Sequence, residues 1–246
     1  RKVSCRWGES RWRGAVLVRI ASRHCCVRPG CRGAWLGRAL PGTPLAPGTY
    51  GANFLGGIPH NFSARVPRQT IMGTSGSQFT LVLQWDSPFF SVSGPPGNQF
   101  EVDVYLLAAL PGGGFQVVAA ETTNNLLINK GSGDPVAIMG PIPCVNKSCT
   151  GYIMIVSRTG PPSRFKYVLL TRGAAPSLSP ALNAGTIYGH ANAVNAIAVG
   201  AANYKTPATV ESFSSTGTTP VLFDILGDSL DPIDPIQAHA RLFANL

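Results

Sequence analysis

The chain has 246 residues, enough to bury a substantial core in one large domain or two smaller ones. Its net charge of +9 comes from residues 1–45, which hold ten basic residues and one acidic residue, whereas residues 46–246 hold ten of each. This distribution argues against a folded nucleic-acid-binding surface, and no apolar run approaches the roughly 18 residues of a transmembrane helix.

Residues 1–45 differ in composition from the rest of the chain. They contain four of the six cysteines and three of the four tryptophans, without a sustained apolar period. No signal peptide is readable, because the apolar stretch GAVLVRIA is interrupted by Arg19. We expect this segment to be disordered or foreign to the following domain, as at a fragment boundary or in a misread frame. The alternative is a basic arm that binds phosphate or an acidic membrane surface.

Residues 46–60 are rich in proline and glycine and are predicted to form a loop. Residues 61–175 then repeat short β-rich runs separated by turn residues: RQTIMG, QFTLVLQWD, FEVDVYLLAA, FQVVAAET, PVAIMG, GYIMIVSR and FKYVLLTR. No helical stretch separates these runs. The pattern predicts a mainly β domain, an antiparallel β-sandwich or jelly roll.

Alternation within the runs predicts which side chains form the core. One face carries Phe79, Leu81, Leu83 and Trp85 in the second run and Val102, Val104 and Leu106 in the third. Glu101, Asp103 and Tyr105 lie on the opposite face. We therefore expect Glu101 and Asp103 to face solvent.

The carboxylates have two functional interpretations that we weigh against a structural one. A glycosidase pair or a calcium site would use Asp86, Glu101, Asp103 or Asp134, but calcium needs several oxygen ligands in one compact loop. We expect Asp86 and Asp134 to lie in turns. The run Gly112–Gly114 lacks the features of a phosphate-binding loop and is predicted to be a hairpin turn. The residues indicate neither a metal nor a cofactor.

Cys144 and Cys149 are separated by four residues in CVNKSC. This spacing suits a small disulfide loop at a strand end, which implies an oxidising compartment. Without a second cysteine or histidine pair it is poor support for zinc.

From residue 176 to residue 246 the composition changes. The stretch GTIYGHANAVNAIAVGAANY is rich in small residues, and AIAVGA is typical of a parallel strand covered on both faces. His190 could serve as an acid or base near neutral pH, but nothing local supplies a nucleophile or an orienting acid. We favour a packing role for it. This region is predicted to be a partial α/β segment.

The same stretch, followed by TPATVESFSSTGTTPVLFD, resembles the subtilisin-like serine proteases. A Val-Gly-Ala strand followed by a Ser-Phe-Ser-x-x-Gly loop is characteristic of that family, and the runs of residues 61–175 look like a β-sandwich inserted in a bacterial branch of it. The matching positions, with the histidine near them, are His190, Val199, Gly200, Ala201, Ser212, Phe213, Ser214 and Gly217.

The resemblance implies a secreted endopeptidase that hydrolyses protein or peptide substrates without a cofactor. The family's motifs for the catalytic aspartate, histidine and serine are absent from this sequence. GTSGS at Gly73–Ser77 precedes most of the sandwich runs and is interpreted as a turn. We therefore expect an internal fragment that is inactive alone. The alternative is a stand-alone β-sandwich that binds carbohydrate or protein.

Overall fold

The computed structural model describes residues 34–127, 131–162, 164–180, 222–223 and 226–229. These residues form ten strands and one short helix. The strands are β1 (Ala34–Arg38), β2 (Ile58–Pro59), β3 (Gln69–Thr74), β4 (Gln78–Trp85), β5 (Val102–Ala109), β6 (Phe115–Glu121), β7 (Val136–Pro143), β8 (Ser148–Ser157), β9 (Arg164–Arg172) and β10 (Ser177–Ser179). The helix is α1 (Phe90–Ser93). Strands β3 to β9 correspond to the seven predicted runs, so a mainly β domain is confirmed.

The strands form two antiparallel sheets. The smaller sheet has the order β1-β9-β4-β7, and the larger has the order β10-β3-β8-β5-β6, with β2 paired to β8. Sequential strands β3 and β4 belong to different sheets, so the chain crosses between the layers there. The predicted turn at Gly73–Ser77 makes this crossing, closed by a hydrogen bond from the Ser77 N–H to the Thr74 carbonyl (2.9 Å).

One hydrophobic core lies between the sheets. It contains the predicted apolar faces of β4 and β5, namely Phe79, Leu81, Leu83, Trp85, Val102, Val104 and Leu106. Strand β9 adds Tyr167, whose hydroxyl hydrogen-bonds the side chain of Gln69 in the larger sheet. The alternation prediction is thus confirmed for the inner faces, and a buried polar contact ties the layers together.

The outer face of the larger sheet is also covered. The loop 41–57 lies across it, and Phe54 of that loop is buried in a second cluster with residues of β5, β6 and β8: Tyr105, Leu107, Val117, Met154 and Val156. Strand β5 is therefore buried on both faces. The expectation that Asp103 faces solvent is wrong, because Asp103 and Tyr105 are fully buried under this loop.

Short turns connect the strands as the glycine positions predict. The hairpin between β5 and β6 is closed by a hydrogen bond from the Leu110 N–H to the Gly114 carbonyl (3.1 Å). Gly113 and Gly114 have φ values of +91° and +83°, which β-carbon-bearing residues rarely adopt. The predicted hairpin turn at Gly112–Gly114 is confirmed.

Three described strands lie outside the predicted limits of the sandwich, residues 61 and 175. Strand β1 falls within the segment 1–45 and pairs with β9, with Ala34 opposite Val168. Strand β2 falls within the predicted loop 46–60, and β10 falls within the segment 176–246. These strands are too short or too unusual in composition to stand out in sequence, and backbone pairing with an existing sheet edge stabilises them.

Candidate functional site

The residues that carry the family resemblance lie outside the described part of the chain. They are His190, Val199, Gly200, Ala201, Ser212, Phe213, Ser214 and Gly217. Of the segment 176–246, the structure describes only residues 176–180, 222–223 and 226–229. The partial α/β segment stays a prediction.

Cys144 and Cys149 are joined by a disulfide, with the two α-carbons 5.7 Å apart. The bridge closes a small loop between β7 and β8, and the Cys144 N–H also donates to the Ser77 carbonyl (2.8 Å). The loop itself is solvent-exposed at Val145. The pair therefore holds the ends of two strands that belong to different sheets.

Replacing both Cys144 and Cys149 by serine is expected to lower the free energy of unfolding by about 2 kcal/mol, since a small closed loop removes modest entropy from the unfolded chain. Urea unfolding with and without reductant measures this. Reductant should destabilise the parent chain but leave the double-serine variant unchanged. Equal sensitivity to reductant in both proteins would assign the effect to other cysteines.

A buried carboxylate cluster lies beneath the covering loop. The Tyr105 hydroxyl donates to Asp103 Oδ2 (2.7 Å), and Arg158 Nη1 lies 3.5 Å from the same oxygen. Arg158 also approaches Glu101 Oε1 at 4.0 Å. The Leu55 N–H of the covering loop donates to the Tyr105 hydroxyl (3.3 Å), so the cluster fastens the loop to the sheet.

Burial determines the protonation behaviour of this cluster. Desolvation raises the pKa of Asp103, against the lowering effects of the Tyr105 hydrogen bond and of Arg158. Desolvation and the adjacent carboxylate raise the pKa of the Tyr105 hydroxyl. Asp103 is fully buried, and its Oδ1 accepts no hydrogen bond from the described residues. A carboxylate enclosed in this way fits a structural role, holding the covering loop to the sheet, rather than contact with a substrate.

The remaining predicted carboxylates do not join this cluster into a metal site. Asp86 and Asp134 lie in turns, as predicted, and Asp134 Oδ1 accepts a hydrogen bond from the Ser91 N–H (2.9 Å). Within the described ranges, no group of three His, Cys, Asp or Glu residues is placed to hold a metal ion.

His60 is the one histidine within the described ranges, and it is buried at one end of the sandwich. Its Nδ1 accepts a hydrogen bond from the Leu40 N–H (3.0 Å). The ring meets Phe62 and Phe165 edge to face, at centroid distances of 4.8 and 4.5 Å. Desolvation lowers the pKa of His60 to about 4, so the imidazole is neutral at physiological pH. Its surroundings are those of a packed side chain.

A set of half-buried side chains, one of them from the covering loop, lies on the outer face of the larger sheet. We call Tyr50, Arg68, Phe115 and Tyr152 the Arg68 platform. Arg68 Nη1 donates to the Tyr50 hydroxyl (3.2 Å), and the guanidinium carbon lies 4.0 Å from the centre of the Phe115 ring. Phe115 meets Tyr152 edge to face at 4.9 Å and Tyr50 at 6.4 Å. The platform thus combines three aromatic rings with one fixed cation.

Sequence reasoning missed both outer-face features because they join residues distant in the chain. One signal was present: in YIMIVS of β8, Tyr152, Met154 and Val156 make the supposed solvent face as apolar as the core face. A run apolar on both faces indicates a strand covered twice. That signal predicts a cover over β8 but does not identify the loop that provides it.

No protein family, curated protein or solved structure matches this chain. In the described part of the chain, no helix is both long enough and apolar enough to cross a bilayer.

Proposed function

We propose that this sandwich is the inserted domain of a secreted subtilisin-like serine endopeptidase, whose peptide-bond hydrolysis is carried out by a triad outside it. The sequence resemblance supports the family, and the positions of β2 and β10 in the larger sheet support an insertion. In the intact parent the substrates are proteins or peptides, and the serine attacks the peptide carbonyl with histidine as base. The Cys144–Cys149 disulfide is consistent with an extracellular location.

The observation that carries this proposal is the position of β2 and β10, the first and last strands of the larger sheet along the chain. Strand β2 lies opposite Val156 and Ser157 of β8, and β3 begins opposite Ile153 along the same side of β8. Strand β10 then runs back along β3, and Gln69 Nε2 donates to the Pro180 carbonyl (2.8 Å). Between β2 and β10 the chain therefore enters and leaves the larger sheet at one end, while β1, which precedes β2, pairs with β9 in the smaller sheet. A domain inserted within another needs such adjacent ends.

The described residues supply no hydrolytic chemistry of their own. His60 is enclosed by aromatic rings, and Asp103 is buried under the loop 41–57. A general base needs hydrogen-bond reach to the proton that it removes, which neither side chain has in this position. The sandwich is thus a scaffold or binding element in the proposed protease.

Two measurements test the proposal. DNA flanking the coding region should encode, in frame, the family's aspartate and histidine motifs upstream and a Gly-Thr-Ser-Met-Ala motif downstream. The purified 246-residue chain should take no label from a fluorophosphonate probe and release no fluorescence from a peptide substrate. An early stop codon with no such motif would refute the insertion, and specific labelling would refute the inactivity.

A stand-alone binding module is the second candidate, and the Arg68 platform favours it. Three half-buried aromatic rings beside a cation resemble a ligand-binding surface more than a solvent-facing sheet. An early stop codon downstream, with continued expression of the chain, would select this candidate over the protease insert.

A further inference from the structure

We infer that the Arg68 platform binds acidic oligosaccharides through their hexuronic acid units. This inference names the ligand class of the binding role, and it holds whether the sandwich stands alone or within a protease.

Among the described residues, no acidic side chain forms an ion pair with Arg68. Both ion pairs among the described residues belong to Arg158, and Arg68 takes part in neither. Only one hydrogen bond from the Arg68 guanidinium, to Tyr50, is formed within the described residues, although the group carries five N–H donors. Arg68 therefore presents guanidinium N–H donors that no described residue accepts, and these donors suit an anionic ligand.

The guanidinium is also held in place before any ligand arrives. Its hydrogen bond to Tyr50 and its position over Phe115 fix both the orientation and the depth of the side chain. A planar guanidinium matches a carboxylate with two parallel hydrogen bonds. Because the group is preorganised, little side-chain entropy is lost on binding.

The aromatic rings indicate the kind of ligand to which this carboxylate is attached. Phe115 and Tyr152 stand nearly perpendicular, at 80°, and both are half-buried where they pack against the apolar cluster under the covering loop. Thr70 is the cross-strand partner of Tyr152 and places a hydroxyl on the same face. Rings and hydroxyls together suit a pyranose, which has apolar C–H faces and a polar rim, and a hexuronic acid adds the carboxylate.

Nucleic acid fits this surface less well. Residues 46–246 are neutral overall, and a polyphosphate needs a row of cations, whereas the platform has one. An acidic peptide offers carboxylates without the ring faces, so it becomes an alternative outcome of the test.

Calorimetric titration of the full chain with an oligogalacturonate of defined length tests the inference. The methyl-esterified form of the same oligomer is the matched ligand, since esterification removes the carboxylate charge and leaves the sugar rings unchanged. We expect a dissociation constant below about 1 mM for the acid and weakening of at least about tenfold for the ester. Arg68→Met should weaken binding of the acid by the same factor, with Arg68→Lys between the two, because lysine keeps the charge without the planar fork.

Arg172→Met is the control variant, because Arg172 is exposed at the end of β9 in the other sheet and makes the same charge change. Residues 1–45 remain in every protein, so their basic charge cannot produce a difference between variants. Phe115→Leu should also weaken binding. The inference is overturned if the parent chain binds neither oligomer, if Arg172→Met weakens binding as much as Arg68→Met, or if a glutamate-rich peptide binds as tightly as the oligogalacturonate.

Discussion

Arg158→Met is expected to lower the free energy of unfolding by about 2 kcal/mol at pH 7. Arg158 is the cation beside the fully buried Asp103, and its removal leaves that carboxylate charged and desolvated. The side chain of Arg158 is 30% exposed, so water moderates the loss below that of a fully buried pair. The covering loop depends on the same cluster through Leu55 and Tyr105.

The pH dependence of this loss distinguishes it from a simple packing defect. Burial raises the folded-state pKa of Asp103, so its protonated form favours folding at low pH, and that contribution is lost as the pH rises through the folded pKa. Removing Arg158 raises this pKa further. The difference between parent and variant should therefore grow with pH and shrink below about 1 kcal/mol once Asp103 is protonated in both.

Urea unfolding across a pH series measures the effect. In an Asp103→Asn background, Arg158→Met should cost little, because no buried charge remains to be compensated. Arg172→Met, which removes an exposed arginine, should change the free energy of unfolding by less than about 0.5 kcal/mol at any pH. A pH-independent loss for Arg158→Met, equal in both backgrounds, would show that the arginine acts through packing alone.

The second large effect is a loss of stability on acidification that comes from His60. Burial lowers the pKa of His60 from 6.5 to about 4 in the folded state. Between these values the unfolded chain binds a proton that the folded chain does not, so stability is full above pH 6.5 and falls as the pH drops towards 4. The shift corresponds to about 3 kcal/mol over this window.

His60→Asn should remove this slope, because asparagine can accept the hydrogen bond from the Leu40 N–H but does not titrate. The free energy of unfolding of the variant is lower than that of the parent, since the variant loses the ring contacts with Phe62 and Phe165. Its difference from the parent should narrow as the pH falls from 6.5 to 4, which urea unfolding at fixed pH intervals would detect.

His190→Asn is the matched control, because it removes a titrating histidine from a different part of the chain. It should leave the slope between pH 6.5 and 4 intact. A slope that survives in His60→Asn and disappears in His190→Asn would mean that His190, not His60, is the buried neutral histidine. Comparing variants in this way also separates His60 from Asp103, whose raised pKa acts in the opposite direction.

The two clusters on the larger sheet show why outer-face features escaped prediction. Alternation correctly placed Asp103 opposite Val104, but a face is buried or exposed according to what packs on it. Phe54, which buries Tyr105, belongs to a proline- and glycine-rich stretch with no periodicity of its own. The Arg68 platform likewise joins a loop residue to three strand regions that are adjacent only in the folded sheet.

The sequence by itself determined the local structure of this protein. Alternating apolar residues set the strands and their inner faces, glycines set the turns, and the spacing of Cys144 and Cys149 indicated their disulfide, because each depends on residues close together in the chain. Only the tertiary structure decided the sheet order, the burial of Asp103 and the position of Arg68. Those depend on contacts between distant segments, and such contacts are selected by packing of the whole sandwich rather than by any local pattern.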